Sequence, residues 1–94
     1  MLYMILCQDK AGASEVRAAN RGAHLAYLEG FGDKVFCAGP TLTEDGAGMT
    51  GSLLVIDFED RAAAERFCEG DPYAKAGLFE SVTIRPWRRV LPKA

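Results

Sequence analysis

The chain has one histidine, His24, and it falls on the apolar side of a helix-forming segment that runs from Ser14 to Glu29. At about 100° per residue, Val16, Leu25, Tyr27, Leu28 and Phe31 fill one half-circle of the helical wheel. Arg21 and His24 fall inside that arc, while Glu15, Ala18, Ala26 and Glu29 fall opposite. A titratable ring and a long cation on a core-facing stripe need partners or a wet cavity, because burying either alone is costly. An imidazole so placed can move protons near neutral pH. An arginine one turn away can hold a carboxylate, phenolate or phosphate group. The same residues also have a plain structural reading. A lone helical histidine is usually a packing residue, and Arg21 can snorkel from beneath Leu25 and Leu28.

The elements that must carry these residues follow from the apolar pattern. Residues 2–8 read as a buried strand, broken at Ala11-Gly12-Ala13. Ser14 is the expected N-cap of the first helix, with Glu15 suited to its positive end. Gly30 and Gly32 stop that helix. Residues 34–38 read as a second strand, ended by Gly39-Pro40. The polar, glycine-rich run from Thr41 to Thr50 has no periodicity and reads as a mobile loop of the kind that often covers sites. Residues 51–58 form a third strand. Asp60 caps a second helix over 61–69, and Gly70 ends it. Asp71-Pro72 restarts a short helical turn through Ala76, with aspartate at the cap and proline at the first helical position. That capping role accounts for Asp71 on local grounds. Residues 82–90 form the last strand, where Pro86 marks an edge or a bulge.

The order βαββαβ is the ferredoxin-like α+β arrangement: an antiparallel sheet with helices on one face. Residues 1–94 are long enough for one domain with a modest core. In the first strand Leu2, Met4 and Leu6 oppose Tyr3, Ile5 and Cys7, and in the third Leu53 and Val55 oppose Leu54, Ile56 and Phe58. Both faces of the sheet are therefore apolar, and no helix is left to cover the second. A second copy packing sheet on sheet is the economical cover, so a homodimer through the helix-free face is expected. A charge at Leu54 or Ile56 is the expected way to break it.

Composition narrows the partners. The net charge is −2 with both signs interspersed, so no basic surplus exists to neutralise nucleic acid. No apolar run reaches the roughly 20 residues that span a bilayer, and the opening run is too short and lacks the basic flank of a signal peptide. Cys7, Cys37 and Cys68 are odd in number, far apart and in apolar settings, which fits reduced thiols and a cytoplasmic location. No Cys/His cluster has metal-ligand spacing, and Thr43 to Gly51 lacks the lysine and hydroxyl of a phosphate-binding loop. No metal or organic cofactor is called for by the residues present. Trp87 reads as a strand-surface aromatic at a subunit contact.

Several ordered pieces together resemble the YCII-related (YciI-like) domain family across nearly the whole chain. They are Arg21-x-x-His24-Leu25-x-Tyr27-Leu28, Gly39-Pro40, Gly51-Ser52, Asp71-Pro72-Tyr73-x-x-Ala76-Gly77-Leu78-Phe79 and Ile84-Arg85-Pro86-Trp87. The resemblance implies a dimeric ferredoxin-like α+β barrel. It also implies an active site built on the helical histidine and the aspartate of the Asp-Pro-Tyr segment, here His24 and Asp71. In such a pair the carboxylate accepts one ring N–H, fixes the tautomer and raises the basicity of the other nitrogen. Around it, Arg21 would bind an anionic group. Gly39-Pro40 and Gly51-Ser52 would let backbone approach a ligand closely. Ser52 would offer a hydroxyl, and Tyr73, chiefly a packing residue, would bring its own hydroxyl to the rim.

Three functional readings follow. The first is isomerase- or lyase-type proton transfer on a small anionic or aromatic molecule, with His24 as general acid or base. The second is a non-catalytic module in which the same pocket binds a metabolite. The third rests on fold analogy alone: a haem-dependent oxygenase with His24 as axial ligand, or a cofactor-free one.

Overall fold

A computed structural model describes residues 1–93 of the chain. The elements run β1 (Leu2–Asp9), α1 (Ser14–Glu29), a 3-10 turn (Gly32–Lys34), β2 (Val35–Leu42), β3 (Met49–Asp57), α2 (Arg61–Gly70), α3 (Pro72–Lys75) and β4 (Phe79–Trp87). The strands form one antiparallel sheet in the order β2-β3-β1-β4. This is the ferredoxin-like α+β arrangement, with the helices on one face. No helix among the described residues is long and apolar enough to cross a membrane.

The strand parity decides which side chains meet the helices. Tyr3, Ile5 and Cys7 of β1 and Leu54 and Ile56 of β3 are buried and join Leu28, Phe58, Ala64 and Phe67 in the core. Leu54 and Ile56 therefore point towards the helices, not away from them, so neither can test a sheet-face contact. Leu53 and Leu6 do point away, and they are 40% and 42% exposed. On that helix-free side Phe36 and Trp87, from the two edge strands, bring their rings within 5.8 Å. Arg89 lies over Phe36.

Several boundaries differ from the pattern, each for a local reason. Ser14 is the first residue of α1 rather than its cap; Ala13 holds the cap position, and no side chain bonds there. β2 runs on through Gly39-Pro40 to Leu42, since Pro40 sits on an edge strand where a missing N–H costs little. The expected mobile loop is a tight hairpin. Thr43 N–H donates to Gly48 O at 2.9 Å, Gly46 takes a positive φ of 75°, and Asp45 accepts from Thr43 Oγ1 and Ala47 N–H. Those bonds hold the Asp45 carboxyl below its ordinary value. β4 begins at Phe79 rather than 82 and ends at Trp87, and it is the opposite edge, as Pro86 requires. Gly70 ends α2, yet its φ is not positive; a Cβ there would meet Tyr27 Oη at 2.6 Å. Its lack of a side chain makes room for the Tyr27 hydroxyl, which donates to Phe67 O at 2.8 Å.

Buried Cys7 and half-buried Cys68 give this core a pH signature. Burial first, then the nearby Cys68, Asp71 and Asp9, push Cys7 from 9.0 up to about 12. Burial first, then Asp71 and neighbouring glutamates, push Cys68 up to about 11. Both shifts favour the protonated thiol in the folded state. Their stabilisation is complete below pH 9.0 and is lost as pH rises through the folded values. Denaturant midpoints should therefore fall across that alkaline window. At about pH 8, Cys7 should react with a small disulfide reagent only on unfolding, and half-buried Cys68 should react more slowly than exposed Cys37. Fast reaction of Cys7 in the native protein would contradict this burial.

Candidate active site

The site lies between the buried face of α1, the β2–β3 end of the sheet and the α2–α3 junction. α1 brings Arg17, His24 and Leu28 inward. α3 begins at Asp71-Pro72. The Asp71 carboxylate caps it by accepting the Tyr73 N–H at 2.9 Å, and proline occupies the first helical turn. The same oxygen, Oδ1, lies 2.9 Å from His24 Nδ1. Both side chains are almost fully buried. An ionised carboxylate only accepts, so the His24 Nδ1 carries the hydrogen and Nε2 is left as the basic nitrogen. Nε2 has no protein partner, and among the described residues no sealed side-chain nitrogen or oxygen lacks one. Nε2 therefore keeps its exposure, and it does so in the cavity that His24 lines.

That cavity holds about 230 Å³ and is lined by Arg17, Arg21, His24, Leu25, Leu28, Ala38, Gly39, Pro40, Met49, Ser52, Leu54 and Tyr73. Of the site residues expected from the sequence, Arg21, His24, Gly39, Pro40, Ser52 and Tyr73 lie on its wall, Asp71 stands behind His24, and Gly51 lies off it. The Tyr73 ring stacks on the imidazole at 4.0 Å with an interplanar angle of 16°. Burial pushes the Tyr73 phenol above its ordinary value, while Arg17 and Arg21 pull it down. Gly39 pairs with Leu53, so the open space where its Cβ would be lies on the helix-free face, and it lines the cavity through its backbone alone. Gly51 does not: its missing side chain makes room for the Cys7 carbonyl of β1, so it serves strand packing and not a ligand. Arg21 is exposed on the rim and makes no side-chain hydrogen bond or ion pair among the described residues.

Two residues at the site escaped the sequence reading. Arg17 is buried, with Nε 2.7 Å from Asp9 Oδ2, and Nη2 3.0 Å from Asp9 Oδ1 and 3.0 Å from Ser52 Oγ. Its Cζ lies 4.7 Å above the Tyr73 ring. Burial disfavours the charge on Arg17, but the hydrogen bonds and charge of Asp9, joined by those of the Tyr73 hydroxyl, outweigh it and raise the pKa from its ordinary value. The signal was available: on the wheel Arg17 lies about 20° from His24, nearer the centre of the arc than Arg21. Asp9 continues the odd-numbered parity of Tyr3, Ile5 and Cys7.

The cavity takes a single small ring. A porphyrin does not fit in about 230 Å³, so His24 has no room for a haem as axial ligand. Among the described residues no three His, Cys, Asp or Glu side chains gather as a metal-binding group.

The YCII-related domain matches residues 1–88. Protein YciI of Escherichia coli O6:H1 is 40% identical over 97 aligned positions, covering 96% of this chain and 99% of that one. An uncharacterized Haemophilus influenzae protein is 35% identical with the same coverage. Among solved structures, the 5-chloro-2-hydroxyhydroquinone dehydrochlorinase of Burkholderia phenoliruptrix AC1100, in complex with 2,5-dihydroxybenzoquinone, has a TM-score of 0.90 and 38% identity, with both chains fully covered. An antibiotic biosynthesis monooxygenase has a TM-score of 0.57 at 13% identity, covering 96% of this chain and 99% of that one, a likeness of fold alone.

Asp71→Ala should remove two hydrogen bonds at once and orphan the Tyr73 N–H and the His24 ring. The expected loss is about 2–4 kcal/mol of unfolding free energy in denaturant titration. The ring ¹⁵N shifts of His24 should also lose their bias towards the Nδ1–H tautomer. A variant that keeps both stability and tautomer would show that the contact is incidental.

Proposed function

The chain belongs to the YCII-related domain family, and from that premise we propose that it is a small-molecule lyase acting on a hydroxylated ring, with His24 as general acid and base and Asp71 orienting it. The observation that carries this reading is the 2.9 Å His24–Asp71 bond behind a cavity sized for one ring. The likeness to a dehydrochlorinase over the full length of both chains supports the reaction class. In an elimination of HX, a ring hydroxyl gives its proton to His24 Nε2, a carbonyl forms, and the carbon bearing X takes up a proton. X then leaves with its bonding pair while a second hydroxyl loses its proton. The net loss is HX, and no oxidant or reductant is needed. Arg21 holds a permanently anionic group of the substrate at the rim. Gly39, Pro40, Ser52 and Tyr73 form the walls that set the plane of the ring.

A second copy covers the helix-free sheet face in this reading. Leu6, Phe36, Leu53 and Trp87 are each at least 36% exposed there, an apolar patch that a partner sheet would bury. A cytoplasmic setting, where the free thiols stay reduced, goes with it.

His24→Gln should keep the fold and lower turnover by about 100-fold or more, read as halide release from 5-chloro-2-hydroxyhydroquinone. If the unaltered protein binds 2,5-dihydroxybenzoquinone but turns over no halogenated hydroquinone, the site is a binding module and the lyase assignment falls. Leu53→Glu should convert a dimer into a monomer in sedimentation at micromolar concentration. An unaltered protein that already sediments as a stable monomer would remove the sheet-face interface.

A further inference from the structure

Arg17 is a buried cation that the acid–base reading leaves unused. Two of its donors are fixed on Asp9, and a third reaches Ser52 Oγ at 3.0 Å. Nη1 is bonded to no carboxylate or carbonyl, and the Tyr73 hydroxyl lies beside the guanidinium. Since no sealed side-chain nitrogen or oxygen among the described residues is unpartnered, Nη1 keeps its exposure, and Arg17 lines the cavity. Ser52 is 2% exposed and lines the same cavity. Its oxygen already accepts from Arg17, so its own hydrogen is the one left to give, and no protein acceptor takes it. Two donors thus stand on one wall with no carboxylate or carbonyl taking their hydrogens, and the Tyr73 hydroxyl stands beside them.

Their charge state matters as much as their place. Asp9 neutralises Arg17, so this wall offers oriented hydrogens with little net charge. Such a pair favours an oxygen that becomes anionic during reaction over a full anion in the ground state. Arg21, unpaired at the rim, is the opposite case. We propose that Ser52 Oγ–H and Arg17 Nη1–H form a hydrogen-bond station for one phenolate or enolate oxygen of the ring substrate, with Asp9 holding Arg17 in place. The proposal rests on the reading of this cavity as a ring site. It assigns the developing oxyanion to Ser52 and Arg17, and proton transfer to His24.

The test uses 4-nitrophenol as a chromophoric probe of a single ring oxygen, titrated against the full chain and followed by visible absorbance. The unaltered protein should bind the phenolate in preference to the phenol, so that the bound probe ionises at lower pH than the free one. Ser52→Ala should raise that ionisation pH by about one unit and weaken phenolate binding about tenfold. Arg17→Lys should act in the same direction, and if it does not fold, Ser52→Ala decides alone. Leu25→Trp, which fills the cavity from α1, should abolish binding. Binding that survives Leu25→Trp places the probe elsewhere and overturns the ring-site reading. Binding that Leu25→Trp abolishes, but whose ionisation pH no folded variant of Ser52 or Arg17 moves, overturns the station alone. No binding by the unaltered protein overturns both.

Discussion

One carboxylate oxygen joins the parts of this protein. Asp71 Oδ1 accepts the first free N–H of α3 and the imidazole of α1, each at 2.9 Å. The helix cap fixes where the carboxylate stands, and the carboxylate fixes the tautomer and plane of the ring. The ring in turn stacks on Tyr73, which belongs to the helix that Asp71 caps. The loop of constraints is closed within a few residues of sequence on one side and crosses to α1 on the other. A buried carboxylate costs a great deal of solvation unless its lone pairs are used, and here two donors use them. Structural capping and the contact with the histidine are therefore made by one oxygen, so the local role of Asp71 as a cap does not compete with its bond to His24.

The sheet serves the same end by presenting unlike faces. On the helix side, small or polar positions near the β2–β3 end, namely Ala38, Gly39, Pro40 and Ser52, leave a hollow beneath α1. At the other end Tyr27, Phe31, Phe58 and Phe67 pack with ring centroids 5.0–6.4 Å apart and close the core. α1 is therefore held firmly by aromatic packing at its C-terminal end. It spans a hollow along its middle, where an ion pair to β1 stands in for packing. A cavity can persist in so small a chain because the polar groups that line it are anchored to one another.

What the sequence showed and what it hid divide along physical lines. Period-3.6 and period-2 patterns are local, so the order of elements and the buried position of His24 were legible. Hydrogen bonds between strands are not local. The extension of β2 past Pro40, the start of β4 at Phe79 and the closure of the 43–48 turn depend on a neighbouring strand, which periodicity does not register. The His24–Asp71 contact spans 47 positions and was reached through family resemblance, not through spacing. Nothing local to Arg17 marks its charge as buried. Its wheel position was central, but its burial makes sense only once Asp9, eight positions earlier and on another element, is seen to neutralise it.

The two arginines of α1 show how one helix can offer two kinds of cation. Arg17 and Arg21 are one turn apart, yet one is paired with Asp9 on the cavity's inner wall and the other stands free at the rim. A free guanidinium attracts any anion that reaches the mouth and discriminates little among them. A neutralised one attracts none from a distance, but its fixed hydrogens reward an oxygen that gains charge at the right place. Because the Asp9 pair is buried, its geometry is little eroded by solvent or salt, whereas the pull of Arg21 is screened over about 10 Å at ordinary ionic strength. Salt should thus bear on capture at the rim and leave events deeper in the cavity largely untouched. The helix that carries His24 separates attraction from selection by where each cation finds, or lacks, its carboxylate.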